Sequence, residues 1–256
     1  MKTVILAGGF GTRLSELTDI VPKPMVDINN FPMIWHIMNL YMCYGYNDFL
    51  LALGYKANIF KEYFLNFNTI NSDFKINLLS GNIETISTHM DDINISMIDT
   101  GINTMTGGRI KALEDNLKHE RFFATYGDGL SNINLKKLLD FHIAHGKLAT
   151  VTAVRPIARF GELVIDDDSN EVKVFQEKVQ LKEGWINGGF FIFEPGFLDY
   201  IDSEETILEK EPLERAAAEG ELVAYKHDGF WMCMDTKRDR DYLDNLAKGE
   251  RPPWKN

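Results

Sequence analysis

Cysteine is scarce in this chain, with Cys43 and Cys233 far apart and outside any C-x-x-C spacing. Neither a disulfide framework nor a cysteine-based zinc site is therefore indicated. Excess positive charge is lacking too: 27 lysines and arginines stand against 38 acidic residues, a net charge of −11. Phosphate-backbone binding needs clustered Lys and Arg, so no nucleic-acid partner is expected, and any phosphate bound must meet a local basic site. No apolar run approaches the ~20 residues that span a bilayer. The apolar run that ends at Ala7 is too short for a secretory h-region followed by a cleavage site. The expectation is a cytoplasmic protein with no membrane partner. Low-complexity tracts, internal repeats and linker-like breaks are missing as well. At 256 residues this favours one large α/β domain with a small appendage.

What the chain does contain is an alternation of strand and helix patterns. Lys2 to Ala7 is a β-branched and apolar run that ends in glycines, which reads as a buried strand entering a tight loop. Pro32 opens a helix carrying Met33, Ile34, Ile37, Met38 and Tyr41 at helical spacing, and Gly45 stops it. The methionine face of Met33, Met38 and Met42 reads as core or subunit contact. Phe49 to Leu53 is a further strand, and Asn58 to Phe67 is amphipathic. A strand at Phe122 to Tyr126, a helix from Asn134 to His145 and a strand from Leu148 to Val154 continue the rhythm. Such alternation predicts a mainly parallel sheet with helices on both faces. Ligands bind such sheets at the carboxyl ends of the strands, so the loops after the first strand and after Tyr126 should share one edge. From Phe160 the texture changes to short strands at Glu162 to Ile165, Val172 to Gln176, Gly189 to Phe193 and Leu222 to Lys226, before a last helix from Arg238 to Ala247. The Asn-, Ser- and Thr-rich stretch from Asn66 to Asn103 carries no clear period.

Chemistry is suggested first by Leu6-Ala7-Gly8-Gly9-Phe10-Gly11-Thr12-Arg13-Leu14. Glycines let a backbone approach a polyphosphate closely and aim N–H groups at its oxygens. Leu14 stands where a dinucleotide fingerprint would need its third glycine, and no Gly-Lys-Ser/Thr ends the loop. Arg13 instead supplies a planar fork suited to phosphate. The same three glycines would also suit a plain strand-to-loop turn. In Val21-Pro22-Lys23-Pro24-Met25, two prolines hold a lysine in a stiff loop from which it can converge with Arg13 on one anion. Asp128, between Gly127 and Gly129 at a strand end, fits either a Mg²⁺ ligand or a turn residue. Asp235 fits either a second metal carboxylate or the N-cap of the helix that follows. Arg109 would also suit an ordinary charge beginning a helix. Glu177 and Lys178 would suit a strand-end surface pair, and Trp185 the core. His142 and His145 fall three apart on a helix with no third ligand at recognisable spacing, so they read as solvated helix residues rather than a metal site.

The glycine loop followed by Pro-Lys-Pro-Met resembles the signature of sugar nucleotidyltransferases, which join a nucleoside triphosphate to a sugar 1-phosphate and release pyrophosphate. The likeness extends through Asp99-Thr100-Gly101, Met105-Thr106-Gly107-Gly108-Arg109, Gly127-Asp128-Gly129, Gln176-Glu177-Lys178, Trp185-Ile186-Asn187-Gly188-Gly189-Phe190 and Met234-Asp235-Thr236. Each motif is weak by itself, but their order over nearly the whole chain is similar to that of the cytidylyltransferases acting on glucose 1-phosphate. The resemblance implies a single Rossmann-like nucleotidyltransferase domain with a mainly parallel mixed sheet, flanking helices and small β appendages. Its nucleotide-binding part would run over about 1–130 and its sugar-phosphate-binding part over about 131–256.

The resemblance also implies CTP and glucose 1-phosphate as substrates, Mg²⁺ as cofactor and a homo-oligomer. The product, CDP-glucose, would feed deoxysugar synthesis for surface polysaccharides such as O-antigen. Arg13, Lys23, Asp128 and Asp235 would be catalytic, with Asp128 and Asp235 on the metal. Leu6, Ala7, Gly8, Gly9, Gly11, Thr12, Arg13, Thr104, Arg109, Gly127 and Asp128 would hold the nucleotide. Lys23, Gly161, Glu177, Lys178, Asn187 and Gly188 would hold the sugar phosphate. Val179 departs from the family's usual Glu-Lys-Pro and loosens the expected placement of Lys178.

Overall fold

The computed structural model describes residues 1–11, 20–87, 92–156, 162–166, 169, 171–176 and 184–255. Its frame is a parallel block. Strand β1 (Thr3–Leu6) pairs in parallel with β4 (Asp48–Leu53) on one side and β8 (Phe122–Tyr126) on the other, and β7 (Asn94–Asp99) extends the block beyond β4. β14 (Phe191–Phe193) then joins β8 antiparallel. β10 (Ala149–Val154) joins β14 antiparallel, and β15 (Leu222–His227) pairs in parallel with β10. The result is the mainly parallel mixed sheet that the alternation predicts.

Strand periodicity assigns the sheet's two faces. Ile5, Leu51, Leu53 and Phe123 pack against α1 (Met33–Met42), α6 (Leu135–His145) and α8 (Lys237–Ala247). Val4, Leu6, Leu50 and Phe122 pack against Ile110 and Leu117, and against Leu213 of α7 (Glu211–Ala218). Met33 and Met38 are fully buried and Met42 packs partly buried against them, so the methionine face is core. The first helix ends as expected, with Gly45 at φ 80° and its N–H on the Met42 carbonyl at 2.9 Å.

Three details depart from the sequence reading. The strand expected over Gly189 to Phe193 is broken, because Gly189 (φ 75°) and Phe190 (φ 46°) interrupt it and leave the two-residue β13 (Ile186–Asn187) as a separate pairing on β10. The patternless stretch contains a hairpin of β5 (Asp73–Ile76) and β6 (Ile83–Ser87), followed by β7. His142 is buried rather than solvated, with Nδ1 on Thr150 Oγ1 at 2.7 Å and Nε2 facing Glu194 at 3.3 Å. Among the described residues, no helix is long and apolar enough to cross a membrane.

Candidate active site

The parallel register brings the ends of β1, β4, β7 and β8 to one edge, and the glycine loop follows from there. Ala7 N–H donates to Ala52, and Gly127 N–H to Leu6. The Gly8 carbonyl accepts from Tyr55 N–H at 3.1 Å and from Arg109 Nη2 at 3.0 Å. A Cβ on Gly8 would lie 2.2 Å from Arg109 Nη1, so close approach makes glycine obligatory there.

Arg109 does not begin a helix. It lies in the second half of α4 (Thr106–Lys111), 4% exposed, and its fork is filled by protein acceptors. Nη1 donates to the carbonyls of Leu53 and Gly101 and to Thr100 Oγ1 at 2.7–2.9 Å, while Nη2 takes Gly8. The guanidinium therefore ties together the ends of β1, β4 and β7. Burial lowers its pKa against an opposing pull from Asp99. Thr104 is likewise turned inward, donating to the Thr100 carbonyl at 2.6 Å.

Across the cleft floor, Lys23 sits in a 3-10 turn (Lys23–Met25) stiffened by Pro22 and Pro24. Gly127 lets this turn close, since a Cβ there would meet Pro24 at 2.7 Å. β9 (Gly129–Ser131) pairs antiparallel with β16 (Trp231–Cys233), and Met234 N–H donates to the Asp128 carbonyl, so Asp235 arrives beside Asp128. Lys23 Nζ lies 2.7 Å from Asp128 Oδ2 and 2.7 Å from Asp235 Oδ1. Burial works to lower the Lys23 pKa, but Asp128, Cys233 and the two hydrogen bonds outweigh it and raise it. Asp235 is not the N-cap of α8. Thr236 is, in a capping box with Asp239, which leaves the Asp235 carboxylate turned to the lysine.

On the opposite wall, Asn187 and Gly188 border the cleft. The Gly188 carbonyl accepts from Trp231 Nε1 at 2.8 Å. Asn187 Oδ1 takes the Gly189 N–H at 2.8 Å, and Nδ2 donates to Tyr126 Oη at 3.2 Å. Trp185 is half-buried rather than core, with the Arg155 guanidinium 4.3 Å and the Lys226 ammonium 5.6 Å from its ring. The cleft measures about 920 Å³, and Leu6, Ala7, Gly8, Gly9, Gly11, Lys23, Thr104, Arg109, Gly127, Asp128, Asn187, Gly188 and Asp235 all line it. Thr12, Arg13, Gly161, Glu177 and Lys178 lie outside the described residues.

A family model described as nucleotidyl transferase matches residues 2–248. The chain belongs to the nucleotidyl transferase family. It is 46% identical to glucose-1-phosphate cytidylyltransferase of Salmonella typhi over 256 residues, covering 100% of this chain and 99% of that one. Among solved structures, HddC from Yersinia pseudotuberculosis superposes with a TM-score of 0.72 at 23% identity, over 96% of this chain and 99% of that one. UDP-glucose pyrophosphorylase complexed with UDP-glucose superposes at 0.69 and 17% identity, over 98% and 99%. These two likenesses show the shared fold.

The nucleotidyltransferase cleft also has the donor set for a divalent cation. The ligand atoms of Asp128, Cys233 and Asp235 lie within 4.8 Å of one another. Two carboxylates already converge on one cation, the Lys23 ammonium, so a metal held by both would compete with it for the same negative charge. The oxygen pair suits a hard ion completed by phosphates and water, whereas the Cys233 sulfur does not.

Among the cleft residues that sequence reading did not assign to the site are Tyr126, Glu209, Trp231 and Cys233. Tyr126 carried a signal, since it stands directly before Gly127. Glu209 carried none: it lies in a turn 83 positions from the tyrosine that it meets.

Proposed function

We propose that this nucleotidyltransferase moves the cytidylyl group of CTP onto α-D-glucose 1-phosphate, producing CDP-glucose and pyrophosphate. The observation that carries this reading is Lys23 held at 2.7 Å by both Asp128 and Asp235 beneath the glycine loop. A cation and two carboxylates at the foot of a cleft of about 920 Å³ suit a reaction between two anions, in which positioning and charge neutralisation supply most of the catalysis. The name of the relative that is 46% identical supports the choice of base and sugar.

In this reading the glycine loop and Arg13 receive the triphosphate, and Lys23 is released from the carboxylates to meet the sugar phosphate. Glu177, Lys178, Asn187 and the backbone of Gly161 and Gly188 hold the sugar phosphate. One oxygen of the sugar phosphate attacks the α-phosphorus in line. That P–O bond forms as the bond to the pyrophosphate bridging oxygen breaks, and the electron pair leaves with pyrophosphate. The attacking oxygen is already ionised at neutral pH, so no side-chain base is required. Asp128 and Asp235 would hold Mg²⁺, which when bound shields the charge of the triphosphate and of the leaving group. Residues up to about 130 form the nucleotide half and those from about 131 the sugar-phosphate half. Self-association and a role in deoxysugar synthesis complete the reading, and sedimentation of the purified chain tests the former.

The test is pyrophosphate release from glucose 1-phosphate and Mg²⁺ with CTP, UTP, dTTP, ATP or GTP in separate reactions. Release with CTP, abolished by chelation, is expected. Preference for another triphosphate overturns the cytosine assignment, and silence with all five overturns the reaction.

A further inference from the structure

A chain of hydrogen bonds crosses the cleft wall from the nucleotide side to the sugar side. Leu208 N–H donates to Thr106 Oγ1 at 3.0 Å, and Thr106 Oγ1 donates to Glu209 Oε2 at 2.7 Å. Tyr126 Oη donates to Glu209 Oε1 at 2.5 Å and accepts from Asn187 Nδ2 at 3.2 Å. Asn187 Oδ1 accepts from Gly189 N–H at 2.8 Å. Among the described residues, Glu209 has no cationic partner, so its carboxylate is satisfied by these two hydroxyls.

The direction of each bond follows from the one before. A carboxylate only accepts, so the single proton of Tyr126 is committed to Glu209. Burial, and then the nearby Glu209 charge, raise the Tyr126 pKa and keep that proton in place. The phenol oxygen must then accept from Asn187, which turns Nδ2 toward Tyr126 and Oδ1 toward Gly189. One N–H and one lone pair of the exposed Asn187 amide remain for the cleft. A donor beside an acceptor is the complement of a single hydroxyl group.

We propose that Glu209 and Tyr126 are positioning residues that fix the Asn187 amide so that it reads one hydroxyl of the sugar phosphate. Neither needs to touch the sugar, because both act through Asn187. The proposal rests on the sugar-phosphate reading of this cleft and deepens it. It makes the discrimination against a deoxy sugar depend on a glutamate outside the recognised motifs.

Glu209→Leu is the informative variant, because it keeps similar bulk and removes both acceptors. With no acceptor left at position 209, the tyrosine proton is free to turn toward Asn187, which opposes the observed amide orientation. Tyr126→Phe removes the link outright while retaining the ring contact with Phe191. The experiment measures KM and kcat for glucose 1-phosphate and its 2-, 3-, 4- and 6-deoxy analogues in wild type and both variants, with KM for CTP alongside.

In the wild type, one deoxy analogue should be rejected more strongly than the others. In both variants, KM for glucose 1-phosphate should rise about tenfold, KM for CTP should stay within about twofold, and rejection of that analogue should shrink by a similar factor. Asn187→Ala should reproduce the loss, and combining it with Tyr126→Phe should add nothing further. Active variants with wild-type KM and unchanged discrimination overturn the positioning role alone. Equal rises in both KM values overturn it in favour of a general structural role. A wild type inactive on glucose 1-phosphate overturns the functional reading and this proposal with it. Should Tyr126→Phe fail to fold, Glu209→Leu decides by itself.

Discussion

At the scale of single residues, Lys23 is where electrostatics and chemistry meet. Its side chain is 9% exposed and those of Asp128 and Asp235 are 25% and 13% exposed, so Lys23→Met leaves two poorly solvated carboxylates facing one another. Removing one partner from such a cluster should cost about 2–3 kcal/mol of stability and lower turnover by about 100-fold or more. Because a divalent ion would bind the same two carboxylates, Mg²⁺ should raise the melting midpoint of Lys23→Met more than that of the wild type. Equal responses in a thermal scan would contradict competition between ammonium and metal. Lys23 and Asp128 were legible because one sits in a proline-stiffened loop and the other in a glycine-flanked one, whereas Asp235 was pointed to by the family resemblance. The fate of Arg109 was not. Its carbonyl partners Leu53, at the end of β4, and Gly8, in the glycine loop, lie 56 and 101 positions away, and the parallel register of β1, β4 and β7 gathers them.

Among the elements, α8 has a direct bearing on the site, since its N-terminus follows Asp235. Thr236 Oγ1 accepts from Asp239 N–H at 3.2 Å, and Asp239 Oδ2 accepts from the N–H groups of Thr236 and Asp235. Thr236→Ala should cost about 1 kcal/mol in urea denaturation and, by loosening Asp235, raise the Mg²⁺ concentration needed for half-maximal rate. Loss of stability with an unchanged metal requirement would confine the cap to a structural role. The longest helices and the buried strands β1, β4, β8 and β10 were readable from their apolar patterns, whereas α4 and α7 were not. The hairpin was not, because β5 and β6 are exposed along almost their whole length and show no buried alternation. The break before β14 escaped notice because Phe190, at φ 46°, is a residue type that seldom takes positive φ.

At the scale of the whole molecule, four histidines among the described residues are held below their usual pKa of 6.5. Burial is the leading cause at His36, His142, His145 and His227. Around His142, Glu194 raises the value while His145 and Arg121 lower it; around His145, Lys147 lowers it and Glu221 raises it. A folded pKa below the unfolded one means that the unfolded chain protonates first as pH falls. The stability these groups contribute is present above pH 6.5 and is lost as pH drops through their folded values. Melting midpoints should therefore fall between about pH 6.5 and 5, before carboxylates titrate. His142→Gln should flatten that slope, and a midpoint constant across the window would contradict the assignment. Sequence alone determined the alternating α/β architecture, the shared edge for the glycine loop and Asp128, and the family. These depend on short-range period and on motifs whose residues lie close together in the chain. Tertiary structure decided which charges remain available to substrates, because Arg109 is filled by carbonyls and Lys23 by carboxylates. It also decided that Glu209 and Tyr126 share a wall, since hydrogen bonds between residues distant in sequence depend on how the sheet and its loops pack.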